Sequence, residues 1–265
     1  MSQDTAEGAF SKQANKFDKI YSKSIITNYK RNRIRSLLLP QLEPNSTILE
    51  LNGGTGEDAL FFAKQGHYVD STDISHGMLS EMKMKIEREK LTDKIHPFQV
   101  DYHNLDRFKG KKYDLIFSNF GGLNCTNELD KILKQLPDLL NSKGKICLVI
   151  MPTISIWELV SALKGNFNLA FRRFKPKGTP SHIEGQHFLS WYYNPSYIKK
   201  HLKTHFKIVA LEALCLCVPP VHYENHLVNR PRIFKLLKSF ENRFKSAPFL
   251  RGMGDYFIIL LERKK

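Results

Sequence analysis

The chain has 265 residues, of which 42% are hydrophobic, and it carries a formal net charge of +15. This length supports one large α/β domain with insertions, or two small domains. The apolar runs are too short to span a bilayer, and residues 1–16 lack the apolar stretch of a secretory signal. The four cysteines form no C-x-x-C pair, so we expect a reduced, cytoplasmic protein with no metal.

The first predicted element is a long helix over residues 10–39. Phe17, Tyr21 and Ile25 follow one another every four residues, which is the spacing of one helical face. The helix is closed by the prolines that come next in the chain, because proline cannot continue a helix.

Strands and helices then alternate along the chain. Strands are predicted near residues 46–52, 67–73, 95–101, 112–119 and 144–151, and helices near 57–66, 76–90 and 127–141. This alternation is typical of a doubly wound, parallel sheet with helices on both faces. Ligands in such folds bind at the carboxyl ends of the strands, near the point where the strand order reverses.

Three acidic residues and a glycine-rich turn are predicted at that edge. Glu50 precedes the turn over residues 52–56, which reads N-G-G-T-G, while Asp73 and Asp101 end the next two strands. An acid about 20 residues after such a turn can accept hydrogen bonds from ribose hydroxyls. The glycine spacing differs from the dinucleotide fingerprint and favours a nucleoside cofactor without a pyrophosphate. Asp73 could instead cap the next helix, and Asp101 could form a turn.

Four segments in the correct order resemble the class I S-adenosylmethionine-dependent methyltransferases. They are residues 48–60, residues 72–79, Asp101 and residues 113–120, within a resemblance that covers roughly residues 10–150. The resemblance implies a Rossmann-like α/β fold with a doubly wound, seven-stranded, mostly parallel sheet, a C-terminal antiparallel hairpin and helical lid insertions. It also implies S-adenosylmethionine as cofactor, S-adenosylhomocysteine as product, and no metal.

The resemblance further implies a role for each residue of a cofactor site. Glu50 would orient the ammonium group of the methionyl end, Asp73 would bind both ribose hydroxyls, and Asp101 would accept from the adenine amino group. The other implied contacts are the turn residues Asn52, Gly53, Gly54 and Gly56, the adenine-packing Ile74 and Met78, and Tyr21, Tyr102, Asn119 and Phe120. Asn52 stands where the family usually has its first glycine, and asparagine tolerates left-handed dihedrals better than most residues.

The chain is less regular after residue 151. A helix is predicted from the capping box at Ser155 and Glu158 towards residue 174, followed by an irregular loop over residues 175–190. The remaining predicted elements are a helix from Asn194, a strand over 208–218, a helix over 231–245 and a strand over 256–261. We expect one overall domain with a cofactor core at 1–151, a lid at 152–205 and the last two strands at 206–265. Residues 152–205 and 219–250 are the candidate lid.

The candidate lid contains many aromatic side chains, which favours a small aromatic or lipid-like acceptor. The weak candidates for an acceptor-side base are His187, Tyr192 and His222, and each has core packing or surface exposure as its structural alternative. The run Asn119-Phe120-Gly121-Gly122 lacks the Pro-Pro-aromatic pattern of enzymes that methylate nucleobase amines.

Positive charge is concentrated in the second half of the chain. Residues 1–150 have 22 basic and 19 acidic residues, whereas residues 151–265 have 19 basic and 7 acidic residues. A basic field attracts nucleic acid, anionic membrane or an acidic partner such as a carrier protein, although it can also be a plain solvated surface. Two alternatives therefore stay open beside the small-molecule methyltransferase: an RNA methyltransferase, and a non-catalytic protein that keeps the cofactor fold.

Overall fold

The computed structural model describes residues 2–163, 165–183 and 185–264. These residues contain a seven-stranded sheet and a separate two-stranded sheet. The strands are β1 (Thr47–Leu51), β2 (Tyr68–Asp73), β3 (Ile95–Gln99), β4 (Tyr113–Ser118), β5 (Leu140–Ile150), β6 (Thr179–Ile183), β7 (Gln186–Ser190), β8 (Phe206–Leu214) and β9 (Tyr256–Arg263). The sheet order is β3-β2-β1-β4-β5-β9-β8, and β6 pairs only with β7. Strand β9 runs antiparallel to both β5 and β8, and the other pairings in the large sheet are parallel. The predicted α/β fold is confirmed.

Helices cover both faces of the sheet. They are α1 (Ser2–Tyr21), α2 (Ile25–Leu38), α3 (Glu57–Lys64), α4 (His76–Arg88), α5 (Leu129–Gln135), α6 (Ile156–Ala162), α7 (Phe167–Phe171), α8 (Pro195–Leu202), α9 (Asn225–Val228) and α10 (Pro231–Phe244). Successive residues of β1 point to opposite faces, so Ile48 packs with α2, α3 and α4, while Leu49 packs with α5 and α8. Among the described residues, no helix is both long and apolar enough to cross a bilayer.

The helix predicted over residues 10–39 is two helices, so that prediction is wrong in its continuity. The break falls after Tyr21, and Ser24 starts α2 by accepting a hydrogen bond from the N–H of Thr27 at 3.0 Å. Glu224 reinforces the break, because its carboxylate accepts from both Ser24 Oγ and the N–H of Ile25, each at 2.6 Å. An acidic side chain from 200 residues away is a partner that local periodicity does not reveal.

The lid segment also departs from the prediction in two places. The predicted loop over residues 175–190 contains the antiparallel pair β6 and β7, whose turn includes Gly185 with φ of 77°. The helix predicted towards residue 174 is divided into α6 and α7 around Gly165, which also has a positive φ of 77°. Left-handed glycines end regular helices, and here they allow the chain to fold back over the sheet.

The capping box predicted at Ser155 does not form. Ser155 occupies the N-cap position of α6, but its side chain makes no cap hydrogen bond. Glu158 is instead drawn to two arginines that follow α7: Arg172 donates to its carboxylate at 2.6 and 3.0 Å, and Arg173 donates at 2.8 Å. A charge-assisted pair of this kind is stronger than the neutral backbone bond that the capping box would supply.

Three further elements agree with the prediction. Helix α8 begins after Asn194, helix α10 covers almost all of residues 231–245, and β9 pairs with β8 as an antiparallel hairpin. Strand β8 covers residues 206–214 and ends earlier than predicted, because Cys215 adopts a left-handed conformation with φ of 59°.

Candidate active site

A cavity of about 410 Å³ lies at the carboxyl ends of β1, β2 and β4. Helix α1 contributes Phe10, Gln13, Phe17 and Tyr21 to its wall, and the hairpin of β6 and β7 contributes Phe188. Eleven of the predicted cofactor residues also line it: Glu50, Asn52, Gly53, Gly54, Asp73, Ile74, Met78, Tyr102, Asn119, Phe120 and Tyr21. The cavity therefore lies where a doubly wound sheet places its ligand.

The glycine turn at 52–56 brings the backbone against the acid of β1. A Cβ atom on Gly53 would lie 2.1 Å from Ser71 Oγ and 2.7 Å from Glu50 Oε2, so only glycine fits there. Gly54 and Gly56 have φ values of 57° and 79°, in the left-handed region that glycine adopts without steric cost. Gly53 and Gly54 line the cavity, and Gly53 is the point of the turn where a Cβ atom would fill the space beside Glu50.

Asn52 adopts the left-handed conformation that the sequence predicts for it, with φ of 53°. Its amide Nδ2 donates to the carbonyl of Asn119 at 3.1 Å, and its Oδ1 accepts from Ser118 Oγ at 2.8 Å. A Cβ atom on Gly122 would lie only 2.3 Å from Asn52 Cγ. The side chain that replaces the usual glycine thus ties the end of β1 to the end of β4.

Asp73 connects the glycine turn to the start of α4, because its carboxylate accepts hydrogen bonds from a backbone N–H group of each. Its carboxylate accepts from the N–H of Gly54 at 2.8 Å and from the N–H of Ser75 at 2.9 Å. Burial raises the pKa of Asp73, while the N–H groups of Ser75 and Gly54 act to lower it. Ser75 itself caps α4 by accepting from Met78 N–H at 3.1 Å. The cap of α4 is therefore Ser75 and not Asp73, which supports the cap through the N–H of Ser75 and lies in the cavity wall.

Glu50 is a buried acid in the cavity wall with a strongly perturbed pKa. Burial raises its pKa to about 8, and the nearby carboxylate of Asp58 adds to the increase. Ser71 Oγ donates to Glu50 Oε2 at 2.6 Å, which opposes the shift. A carboxyl group held in this state stabilises a cation that comes to lie beside it, because pairing removes the cost of its charge.

Asn119 and Phe120 form the part of the wall at the end of β4. Asn119 Nδ2 donates to Asp58 Oδ2 at 2.7 Å, and Arg35 Nε donates to the other oxygen of Asp58 at 2.8 Å. Phe120 has φ of 48°, an uncommon conformation for an aromatic residue. The Asn119 side chain supports this backbone, since its Oδ1 accepts from the N–H of Phe120 at 2.7 Å.

The structure leaves two predicted cofactor residues outside the cavity wall. Asp101 accepts from the N–H of His103 at 2.8 Å and lies 2.8 Å from His103 Nδ1. Gly56 faces α4, where an added Cβ would lie 2.5 Å from Met82 Cγ. The adenine contact of Asp101 remains a prediction, while Gly56 serves the close approach of the turn to α4.

The three candidates for an acceptor-side base also lie outside the cavity wall. His187 is exposed on β7, with its ring 4.8 Å from that of His182. Tyr192 lies under the guanidinium of Arg173 at 4.9 Å, and burial raises its pKa. His222 is exposed, and burial of part of its ring lowers its pKa. Their role as a base remains a prediction, which the geometry does not favour.

Helix α2 supplies two charged cavity residues that the sequence analysis missed, Lys30 and Arg31. Lys30 Nζ donates to Asp255 Oδ2 at 3.1 Å and lies 4.6 Å above the ring of Tyr256. Arg31 is only 7% exposed, its Nε has no hydrogen-bond partner among the described atoms, and its nearest carboxylate, Glu57, is 4.0 Å away. Arg31 is thus a buried cation with unused donors in a cavity wall.

A sequence signal for these residues does exist. Lys30 lies four residues from both Ile26 and Ile34, which places a lysine on the buried face of α2. Lysine is almost never buried unless it is paired, so this position marks a site with an internal acid. The acid, Asp255, lies 225 residues away in sequence, which is why the pattern was not interpretable without the fold.

The cavity fits a cofactor that carries a ribose, an ammonium group and a carboxylate. Its wall combines the glycine turn at Gly53, the carboxyl groups of Glu50 and Asp73, and the unpartnered Nε of Arg31. Gln13 adds a second buried polar atom, Oε1, that lacks a hydrogen-bond partner. Among the described residues, no group of His, Cys, Asp and Glu side chains is arranged to hold a metal ion.

The fold is a Rossmann-like α/β fold with a seven-stranded, mostly parallel sheet and a cavity at the ends of its strands. A methyltransferase domain family matches residues 48–144. The matched residues lie within the segment that resembles the class I S-adenosylmethionine-dependent methyltransferases, so the match agrees with that resemblance.

Two kinds of relatives are similar to the chain. A ubiquinone/menaquinone biosynthesis C-methyltransferase from Paraburkholderia phytofirmans is 26% identical over 119 residues, or 44% of this chain and 47% of that protein. A demethylmenaquinone methyltransferase from Bacteroides fragilis is 30% identical over 108 residues, or 40% and 43%. The chain thus spans about half the length of the curated relatives that it matches.

A solved structure extends the likeness over nearly the whole chain. It is the 1,6-didemethyltoxoflavin-N1-methyltransferase of Burkholderia thailandensis, with bound 1,6-didemethyltoxoflavin and S-adenosylhomocysteine. The TM-score is 0.59 at 13% sequence identity, and the match covers 99% of this chain and 89% of that one. At this identity the match establishes the fold alone.

Proposed function

We propose that the protein is an S-adenosylmethionine-dependent methyltransferase that acts on a small-molecule acceptor. The observation that carries the proposal is the wall of the cavity, where the glycine turn at Gly53 lies between the carboxyl groups of Glu50 and Asp73. The match of residues 48–144 to a methyltransferase domain family supports the choice of cofactor. The proposal requires the cavity to bind both the cofactor and the acceptor.

The cavity residues divide by chemistry into parts for each end of the cofactor. Asp73 is an acceptor for ribose hydroxyls, and Ile74 and Met78 are apolar neighbours for an adenine ring. Glu50 complements an ammonium group, and Arg31 complements a carboxylate with its free donors. An amino-acid end bound between these two side chains gives Arg31 a carboxylate partner and favours the ionised form of Glu50, whose pKa is raised to about 8 by burial in the ligand-free cavity.

When bound, S-adenosylmethionine supplies a methyl group activated by a sulfonium centre. The protein's own contribution is to align the acceptor in line with that group and to exclude water, which is worth up to about 7–11 kcal/mol for a well-aligned pair. Asn119 and Phe120 form a fixed part of the wall at this point, because Asn119 Nδ2 donates to Asp58 and Asn119 Oδ1 accepts from the N–H of Phe120. No dedicated catalytic side chain is required by this chemistry.

The acceptor is proposed to be aromatic or lipid-like. The cavity wall beyond the cofactor residues is largely apolar and includes Phe10, Phe188, Met151, Val221 and Tyr256. Phe188 and Val221 come from residues 152–205 and 219–250, which supports these two segments as the lid. The quinone-related names of the curated relatives favour the same class of acceptor.

Two finer points of the proposal concern partners and location. The acceptor could be presented on an acidic carrier protein, since the half of the chain after residue 150 is strongly basic. The cytoplasm is the proposed compartment. RNA is the alternative acceptor that the same basic charge allows, and a non-catalytic cofactor-fold protein is the alternative outside enzymes.

One set of measurements tests the proposal against both alternatives. Calorimetry with S-adenosylhomocysteine should show binding that is lost in Asp73→Asn. Transfer of labelled methyl from S-adenosylmethionine should then occur to substituted phenols or hydroquinones. Transfer to RNA with a salt-sensitive affinity would favour the RNA methyltransferase, and cofactor binding without transfer to any acceptor class would favour the non-catalytic protein. Absence of cofactor binding would remove both enzyme interpretations.

A further inference from the structure

Helix α10 has more apolar surface than the core covers. The sequence predicts one apolar face for this helix, but the structure turns Phe234 and Leu237 towards the core beside α2 and leaves other apolar residues in solvent. The exposed ones are Ile233, Leu236, Phe240 and Phe244, which are 43%, 55%, 47% and 41% exposed. They are spaced by three or four residues, so they form one continuous apolar stripe along the helix.

Basic side chains flank the apolar stripe of α10. Arg232 lies four residues before Leu236 and Arg243 lies three residues after Phe240, so each is a neighbour of the stripe on the helix surface. Arg230 and Lys235 are also exposed, and none of these four basic residues forms an ion pair with a described acid. The inward side of the helix carries the acid instead, where buried Glu241 accepts from the N–H groups of residues 216–218.

A second exposed apolar group lies on α6 and α7. Its members are Val160, Leu163, Phe167, Phe171 and Phe174. Contacts join this region to the chain around α9 and α10: the rings of Trp157 and Tyr223 are 5.7 Å apart, and the N–H of Ile156 donates to the carbonyl of Met253 at 2.9 Å. The exposed Lys175 and Lys177 supply basic charge here too.

Exposed apolar residues are therefore concentrated in the lid. Eleven of the 16 large apolar side chains that are exposed among the described residues fall within residues 152–205 and 219–250. Scattered exposed apolar residues are normal, but a contiguous patch bordered by basic side chains marks a binding surface.

We propose that α10, with its apolar stripe and flanking arginines, docks the protein on the surface of an anionic phospholipid bilayer. A helix with phenylalanine and leucine on one face and arginine and lysine beside them is typical of helices that lie in the membrane interface. The apolar stripe enters the boundary of the acyl chains, and Arg232 and Arg243 reach phosphate groups.

Charge and shape distinguish this partner from the other ligands of a basic surface. Nucleic acid is bound mainly by basic side chains at phosphates, and that mode leaves an apolar stripe exposed to water. An anionic bilayer satisfies both parts of the surface together. The docking proposal extends beyond the methyl-transfer proposal and does not depend on it, because it concerns residues outside the cavity wall.

Vesicle sedimentation tests the docking directly with the full chain. Vesicles of phosphatidylcholine containing phosphatidylglycerol should bind the protein, whereas pure phosphatidylcholine vesicles should bind it at least tenfold more weakly. The triple variant Leu236→Ser, Phe240→Ser and Phe244→Ser should lose at least tenfold in affinity for the anionic vesicles. The pair Arg232→Gln and Arg243→Gln should lose severalfold, with a weaker dependence on salt.

Matched controls place equivalent changes elsewhere on the surface. Met84→Ser removes an apolar side chain that is 55% exposed on α4, and Lys83→Gln with Lys143→Gln removes two exposed positive charges. These controls should bind vesicles like the unmodified chain, and every variant should keep its thermal unfolding midpoint because the changed side chains are exposed.

Three outcomes would overturn the docking proposal. One is the absence of sedimentation with anionic vesicles. Another is unchanged vesicle binding by the triple variant, which would reduce the interaction to general charge attraction. The last is binding of a single-stranded RNA of 20 nucleotides that the arginine pair abolishes while vesicles are ignored. Cofactor binding, measured separately by calorimetry, should be the same in all of these variants, so failure of docking is distinguishable from failure of methyl transfer.

Discussion

The ends of β1, β2 and β4 differ from the lid in how their polar and apolar groups are used. At the strand ends, Asn52, Asp58 and Asp73 bind backbone or side chains at defined distances, and the glycine turn leaves no free volume beside Glu50. In the lid, Phe240 and Phe244 of α10 are 47% and 41% exposed, and Arg232 and Arg243 form no ion pair with a described acid. One region is complete within the chain, whereas the other presents surface that an external partner can satisfy.

The difference shows which parts of the chain we expect to recognise the cofactor and which parts we expect to recognise other partners. A methyl-donor cofactor that a whole family shares can be bound by local motifs, because a turn and the ends of two adjacent strands suffice to recognise it. The proposed acceptor region is formed instead by residues from distant segments, such as Phe188 and Val221 in the cavity wall. We therefore expect substitutions at the strand ends to change cofactor affinity and substitutions on the outer lid surface to leave it unchanged.

The largest effect is expected from Asp73→Asn. Asp73 is proposed to accept hydrogen bonds from both ribose hydroxyls of the cofactor. A hydrogen bond to a charged group contributes about 1.5–3 kcal/mol, so losing two should lower the affinity for S-adenosylhomocysteine roughly 100-fold or more. Calorimetry gives the affinity, and a thermal scan shows whether the fold is kept. Asp70→Asn is the matched control, because Asp70 lies on the same strand but binds Lys111 at 2.7 Å and Tyr113 at 2.6 Å outside the cavity wall. Equal losses in both variants would contradict a localised cofactor site.

A smaller effect, with a distinctive pH dependence, is expected from Glu50→Gln. Removing the charge partner of an ammonium group should weaken cofactor binding by about 10-fold to 100-fold. The pKa of Glu50 is raised from 4.5 to about 8 in the folded protein, so folding disfavours its charged form. Its contribution to the stability of the ligand-free protein is fully present below pH 4.5 and is lost as the pH rises through 8.

Glu50→Gln should therefore unfold at a higher temperature than the unmodified protein at pH 8, and the difference should shrink towards pH 5. Thermal scans at both pH values without ligand check this. If the variant is less stable at pH 8, then Glu50 acts as a structural ion-pairing or capping acid, and its role beside an ammonium group is refuted.

Arg31→Met should raise the stability of the ligand-free protein and lower its affinity for the cofactor. Arg31 is a residue that the sequence analysis missed. Replacing a buried, poorly paired cation by an apolar side chain of similar length should stabilise the ligand-free protein by about 1 kcal/mol. The affinity for S-adenosylhomocysteine should fall about tenfold, because a carboxylate loses its partner. Arg33→Met is the control: Arg33 binds Glu212 at 2.5 and 2.6 Å, so its loss should destabilise the fold and leave affinity unchanged. The same response from both variants would show that α2 acts only in packing.

The smallest effect is expected from Asn52→Gly, which restores the usual glycine of the family. Glycine relieves the left-handed backbone but removes the hydrogen bonds to Ser118 and Asn119, and these effects nearly cancel. Stability should change by less than about 1 kcal/mol and cofactor affinity by less than about threefold. Asn52→Ala keeps the strained backbone without the hydrogen bonds, so it should lose about 1–3 kcal/mol in urea unfolding. A large loss in Asn52→Gly would mean that the asparagine contacts the cofactor itself.

Sequence patterns were sufficient for the regular half of the fold. Five strands, three helices and the glycine turn between residues 46 and 151 follow local periodicity and turn chemistry, which act over a few residues. These patterns, together with the resemblance to the methyltransferase family, selected eleven residues that the structure brings to one cavity wall, at the edge where the ends of parallel strands meet.

The remaining features depend on partners that are distant in the sequence. The break before α2 is fixed by Glu224, the failed capping box by Arg172 and Arg173, and the buried Lys30 by Asp255. Each is a charge-assisted contact across a long loop, which no local pattern specifies. The exposed stripe of α10 was hidden for a related reason, since an apolar face reads the same whether it meets the core or a bilayer.

Helix α1 has a kinetic consequence for any ligand of the cavity. It is clamped on several sides: Ser11 lies against Gly77, Asp18 binds Thr55 at 2.8 Å and Lys85 at 2.7 Å, and Phe10 lies 5.8 Å from Phe188. A ligand bound in the cavity would touch this helix, so we expect ligand exchange to slow wherever it requires α1 to move. Bound ligand would in turn slow tryptic cleavage within α1, so the rate of this cleavage would report whether the cavity is occupied.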